Sequence, residues 1–150
     1  MTDTIGFIGL GVMGAGMAKN ILKAGFKLVA TTSSAEKADA FRALGAEIVD
    51  SPAAIASRTR LIVTCVPDAA ALRQTLTGDN GLASASWEGG LLVDCSTIAP
   101  FEAEEMAAVL ANAGAGLVDA PVSGGRKGAE EGKLTIMCGG SDADVARARP

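Results

Sequence analysis

Gly9, Gly11 and Gly14 stand as Gly-x-Gly-x-x-Gly, directly after the apolar run Ile5–Ile8 and directly before a helical pattern. Strand, glycines, helix is the context in which this spacing carries chemistry. Gly9 permits a tight turn, Gly11 lets backbone approach a pyrophosphate, and Gly14 lets the helix press on the strand. The unpaired N–H groups at the helix start, reinforced by the helix dipole, then face paired phosphates. The spacing therefore marks Gly9, Leu10, Gly11, Val12, Met13 and Gly14 as a dinucleotide cradle.

Three further segments carry polar groups just after predicted strand ends. Cys65-Val66-Pro67-Asp68 would line the cofactor through backbone, with Val66 and Pro67 nearest. Asp94-Cys95-Ser96-Thr97-Ile98-Ala99-Pro100 leads out of another strand end. Asp119-Ala120-Pro121-Val122-Ser123-Gly124-Gly125 offers a hydroxyl and unhindered backbone N–H groups at Ser123, Gly124 and Gly125. Several donors with no acid beside them suit a small carboxylate, and a turn with an N-cap is the plainer alternative.

An NAD site usually places an acid about 20 residues after the glycines, on the ribose 2′-hydroxyl. Here the second strand ends in Thr31-Thr32-Ser33-Ser34, with no acid before Glu36. Hydroxyls at Thr32, Ser33 and Ser34, with Lys37 nearby, leave a 2′-phosphate admissible, so NADP is favoured over NAD without excluding it. The same residues also suit a turn and helix cap.

Histidine and tyrosine are both absent, so proton transfer within the chain must use Lys, Asp, Glu or Cys. Cys65, Cys95 and Cys138 lack C-x-x-C spacing and are expected as buried free thiols, with no metal site. At net charge −4 with scattered basic residues, nucleic acid is not an expected partner. No apolar run approaches the length of a membrane span, and no signal-type leader opens the chain, so the expected place is the cytoplasm.

The elements that must hold these groups alternate. Strands are expected at Thr4–Ile8, Lys27–Thr31, Ala46–Val49, Leu61–Val66, Leu91–Cys95, Leu117–Ala120 and Leu134–Cys138. Helices are expected at Met13–Ala24, Ala35–Leu44 with Ser34 as N-cap, Pro52–Ala56, Ala69–Leu76 capped by Asp68, after Pro100 through Ala113, and from Ser141 or Asp142 onward. Pro121–Gly132 reads as a glycine-rich loop. Such alternation predicts an α/β fold, a Rossmann-type doubly wound and mostly parallel sheet with helices on both faces. Ligands of such sheets bind beyond the C-terminal strand ends. At 150 residues the chain is read as one NAD(P)-binding domain.

Taken together, the motifs resemble those of the β-hydroxyacid dehydrogenases, the group containing 3-hydroxyisobutyrate dehydrogenase, tartronate semialdehyde reductase and glyoxylate/succinic semialdehyde reductases. Gly6–Gly14 is similar to the family's opening signature, Asp94-x-Ser96-Thr97-Ile98-x-Pro100 to its second, and Asp119–Gly125 with Gly128-Ala129 and Gly132-x-Leu134-Thr135 to its third. The imine reductases resemble this chain in Gly9–Gly14 but not in Asp119–Gly125.

The resemblance implies reversible hydride transfer between NAD or NADP and a small 3-hydroxy acid or its semialdehyde. It puts Thr97 near the nicotinamide ribose and Ser123, Gly124 and Gly125 on the substrate carboxylate. NADP-using members often carry Asn-Arg-Thr where this chain has Thr32-Ser33-Ser34. The family's catalytic lysine, assisted by an asparagine, lies on a long helix in a Gly-x-Gly-x-x-x-Lys-x-x-Asn-like motif beyond Pro150, followed by a helical domain through which a homo-oligomer would form. Lys127 and Lys133 do not match that motif. No catalytic residue is therefore expected within these 150 residues, which are expected to turn over nothing alone. A stand-alone dinucleotide-binding module without catalysis would need the same residues.

Overall fold

The computed structural model describes residues 3–149. Six parallel strands form the main sheet, in the order β3-β2-β1-β4-β5-β6. They are β1 (Thr4–Ile8), β2 (Lys27–Thr31), β3 (Glu47–Ile48), β4 (Leu61–Thr64), β5 (Leu91–Asp94) and β6 (Gly116–Asp119). The chain starts at the centre, winds outward to β3, then returns past β1 to β4 and winds the other way. The reversal between β1 and β4 is the switch point at which ligands of open α/β sheets bind. The expected Rossmann-type α/β fold is the observed one.

Successive strand residues feed opposite faces, which is why the strands read as nearly unbroken apolar runs. On one face Ile8, Ile62 and Leu92 pack with Ile55, Leu72, Leu76, Met106 and Leu110. These come from α3 (Pro52–Ala56), α4 (Ala69–Thr77) and α5 (Pro100–Asn112). On the other face Phe7, Leu28 and Ala30 pack with Ala18 and Phe41, from α1 (Val12–Lys23) and α2 (Ala35–Ala43). Trp87 closes the first core from below, fully buried, its indole N–H donating to the Thr59 carbonyl at 3.0 Å.

The local helix signals hold. Ser34, Ser51 and Asp68 each accept a backbone N–H from three residues on, at Lys37, Ala54 and Ala71. Pro52 and Pro100 each open a helix, where the missing N–H costs nothing. At Ala99 the Glu102 carboxylate accepts the backbone N–H at 2.8 Å.

Three expectations fail in the last third of the chain. Pro121–Gly132 is not a loop. It holds β7 (Val122–Ser123) and the seven-residue helix α6 (Gly125–Glu131). The expected strand Leu134–Cys138 shrinks to β8 (Thr135–Ile136), which pairs antiparallel with β7 in a two-stranded sheet of its own. The final helix α7 (Asp142–Ala148) begins at an N-cap on Ser141. Cys138 is exposed rather than buried, because this small ribbon leaves the main core; Cys95 is buried and Cys65 half-buried.

Candidate functional site

All six main strands run parallel, so every candidate loop issues from the same edge of the sheet. Gly9 has φ +103, in the left-handed region that favours glycine, and a Cβ there would strike the Cys65 carbonyl. A Cβ at Gly14 would strike the Gly9 carbonyl oxygen and come within 3.1 Å of Phe7. These two glycines answer to packing: the first lets β1's loop touch the end of β4, the second lets α1 close on that loop.

Gly11 answers to nothing inside the protein. Its φ is −78, open to any residue, and a Cβ there would meet no atom within 4 Å. Yet Gly11 is the N-cap of α1, a position where Ser, Thr, Asp or Asn would serve the helix better. No side chain caps α1 and no acid stands in its first turn. Val12, at the first helical position, is 66% exposed. A positive helix end is thus left bare behind a residue with no side chain, which fits the close approach of a diphosphate.

The neighbouring loops are tied to one another. The Val66 N–H donates to Ser96 Oγ at 2.9 Å, joining the segments after β4 and β5. Below that link Asp94 is fully buried, and its Oδ1 accepts the Thr64 hydroxyl at 2.8 Å and the Ser96 N–H at 3.1 Å. Asp94 therefore sets the Ser96 turn that presents the exposed Thr97. In register beside it on β6 is Asp119, whose buried Oδ1 has no hydrogen-bond partner. Burial first, and then the Asp94 carboxylate, push the Asp119 carboxyl above the usual range. Burial also lifts the Cys95 thiol, to about 12, with Cys65 and Asp94 adding to the effect.

Beyond β6 the chain reaches Ser123, which is exposed, then Gly124 at φ +136 and Gly125 at φ +63. No ordinary side chain takes that backbone pair easily. At the end of β2, Thr32 Oγ1 accepts the Ser34 N–H and Ser34 Oγ accepts the Lys37 N–H. The hydroxyl hydrogens of both remain free to donate, and Ser33 is exposed. The turn-and-cap reading is therefore correct for Thr32 and Ser34, and it leaves their donor capacity intact. A surface depression of about 470 Å³, lined by Thr77, Ser84, Ser86 and Asn112, lies at the opposite edge of the sheet, remote from all these loops.

Neither lysine beside the Ser-Gly-Gly turn is desolvated. Lys127 and Lys133 are mostly exposed and both approach Glu131, at 3.8 and 3.1 Å. Two residues that support these segments from behind, Thr64 under Asp94 and Asn20 on α1, escaped sequence reading. Thr64 hides within an apolar run, where a β-branched residue reads as core. Asn20 lies in no motif, and its only signal is its place one helical turn after Gly16.

Residues 4–150 match the family model for the NAD binding domain of 6-phosphogluconate dehydrogenase. The chain belongs to that family. It is 41% identical to the 2-hydroxy-3-oxopropionate reductase of Escherichia coli K12 over 146 residues, covering 97% of this chain and 50% of the relative. The 3-hydroxyisobutyrate dehydrogenase of Mycobacterium tuberculosis with L-serine superposes with TM-score 0.91 at 35% identity, over all of this chain and 50% of that one. Psf3 in complex with NADP+ and 2-OPP superposes with TM-score 0.88 at 32% identity, over 97% and 52% of the two chains. The resemblance to the β-hydroxyacid dehydrogenases thus runs the whole length of this NAD-binding domain family member. The chain spans about half the length of the curated relatives it matches. Among the described residues no helix is long and apolar enough to cross a membrane.

Proposed function

We propose that this chain is the NAD(P)-binding domain, residues 1–150, of an oxidoreductase that moves a hydride between NADP or NAD and a small 3-hydroxy acid or its semialdehyde. One observation carries the reading: Gly11 is a glycine that the fold itself does not require, at the bare N-terminus of α1. The relatives' activities support the choice of substrate class.

In this reading the amides from Gly9 to Gly14 hold the diphosphate, with Leu10, Val12 and Met13 flanking it. Val66 and Pro67 line the cofactor, and Thr97 faces the nicotinamide ribose. The bound dinucleotide supplies or accepts the hydride. Ser123, Gly124 and Gly125 donate to the substrate carboxylate and so fix which carbon meets the ring. Thr32 and Ser33 donate toward a 2′-phosphate, which gives NADP a modest advantage over NAD.

Proton transfer comes from outside these residues. Every lysine among the described residues is exposed, so none is a desolvated base. We therefore read this chain alone as binding a dinucleotide without turnover, working in the cytoplasm and, with a further helical domain, as part of a homo-oligomer.

The test is a thermal-shift comparison of NAD+ and NADP+, followed by a turnover assay with NADPH and small semialdehydes. Stabilisation that grows with ligand concentration, larger for NADP+, is expected, with no turnover. No shift with either dinucleotide would overturn the binding site. Turnover by this chain at the ordinary enzymatic rate of roughly 1–10³ s⁻¹ would overturn the division of labour.

A further inference from the structure

Helix α6 has seven residues, includes Gly125 and Gly128, and would not persist by propensity alone. It is held by α1. A Cβ at Gly16 would come within 2.9 Å of the Ala129 carbonyl carbon and 3.0 Å of the Glu130 nitrogen, so the two backbones meet directly there. One turn further along the same face, the Asn20 side-chain amide donates to the Ala129 carbonyl at 2.7 Å and reaches the Glu130 carbonyl at 3.5 Å. Those carbonyls belong to the last turn of α6, where no later helical N–H is available for them. Gly132, at φ +68, ends the helix with its N–H on the Gly128 carbonyl.

The other end of α6 is the Ser123-Gly124-Gly125 turn. The backbone there is left-handed at two consecutive glycines, which have many alternatives to that conformation in the absence of restraint. The turn is fixed from one side by the β7–β8 ribbon, through the Ser123–Thr135 pair, and from the other by α6. We infer that Asn20 is a positioning residue: by capping α6 from α1, it locks the acid-binding turn to the helix that carries the dinucleotide cradle. Gly16 supplies the close contact and Asn20 the direction. This rests on the reading of Ser123–Gly125 as the acid-binding turn, and it adds the device that sets the turn's distance from the cofactor.

Amide hydrogen exchange on this chain tests it, without ligand and with NADP+. Asn20→Asp keeps the shape and removes the donor, whereas Asn20→Gln keeps a donor on a longer stem. Gly16→Ala pushes α6 away without touching Asn20. Without ligand, Asn20→Asp should speed exchange of the amides in residues 125–133 by about tenfold, as expected for the loss of a hydrogen bond whose acceptor stays unpaired. Gly16→Ala should do the same, with β5 amides unchanged in both. Asn20→Gln should restore protection to within about threefold of wild type, a rescue that general destabilisation does not give. NADP+ should still stabilise Asn20→Asp as it does wild type.

Unchanged protection in residues 125–133 for Asn20→Asp would overturn the inference, as would an equal loss in β5 or no rescue by Asn20→Gln. Failure of wild type to bind NADP+ would instead remove the cofactor reading and leave the ligand-free comparison to decide on Asn20.

Discussion

Gly11→Ala and Gly14→Ala should separate binding from folding within one six-residue motif. At position 11 the new methyl meets no protein atom and φ is already compatible. Replacing glycine there stabilises by about 0.4–1 kcal/mol through the unfolded chain. Alanine is a poorer N-cap than glycine by roughly the same amount, so stability should stay within about 0.5 kcal/mol of wild type. At position 14 the methyl is aimed at the Gly9 carbonyl oxygen. That oxygen cannot retreat, because Gly9 is itself jammed against the Cys65 carbonyl at φ +103. A gain of about 1 kcal/mol in helix propensity is then set against overpacking of about 3 kcal/mol or more. The net loss of about 2 kcal/mol corresponds to roughly 4–8 °C in a domain of this size.

Thermal unfolding with and without NADP+ reads both effects. At 100 times Kd the wild type should gain about 2.7 kcal/mol, or roughly 5–11 °C. Gly11→Ala should keep the ligand-free Tm and lose about half of that gain at the same concentration, which is what a tenfold loss of affinity produces. If Gly11→Ala kept the full shift, the empty space at Gly11 would not be where a diphosphate comes close. If Gly14→Ala were as stable as wild type, the packing account of the motif would be wrong.

Ser123→Ala should leave Tm unchanged, since Ser123 is exposed, and should weaken binding of a small 3-hydroxy acid to the dinucleotide complex; isothermal titration measures both partners. Asp119→Asn should raise Tm at pH 7. The folded carboxyl titrates above its unfolded value, so its stabilising contribution belongs to the protonated form and is lost as pH rises through the folded pKa. The advantage should therefore close as pH falls below about 4, and a pH series of melts checks it. With a thiol reagent at pH 8, Cys138 should react first and half-buried Cys65 more slowly. Cys95, buried and with its pKa pushed up to about 12, should react only after denaturation, which peptide mapping would show.

What was legible in the sequence was what neighbours in the chain decide. Ser34, Ser51 and Asp68 cap helices whose first turns lie three residues away, so the signal and its partner fall in one window. The apolar run at Leu61–Val66 announces a strand covered on both faces, and only its last residues leave the sheet for the crevice. Pro121–Gly132 defeated the same approach because its order comes from elsewhere: glycines argue for a loop, and Asn20, more than a hundred residues earlier, argues for a helix. Cys138 failed for a related reason. Its run of apolar neighbours matches a core strand, but the ribbon it follows pairs with β7 instead of joining the main sheet. Thr32 and Ser34 were read both as caps and as phosphate donors, and a hydroxyl that accepts from backbone can be both.

The glycines of the motif also show why a fingerprint says more about ligand than about fold. Gly9, Gly14 and Gly16 are each required by an atom of the protein: the Cys65 carbonyl, the Gly9 carbonyl and the Ala129 backbone. A chain with no ligand would still need them. Gly11 alone is unexplained by any neighbour, at an N-cap where a side chain would help the helix. A protein built only for stability would place serine or aspartate there, and aspartate would also satisfy the dipole. Gly11→Asp should therefore stabilise the ligand-free chain, by about 1 kcal/mol at low salt, and abolish the NADP+ shift through charge and bulk together. Paired melts of the two proteins, with and without NADP+, would show the crossover. If Gly11→Asp were less stable than wild type without ligand, the N-terminus of α1 would have a partner inside the protein, and the case for a diphosphate there would lose its physical basis.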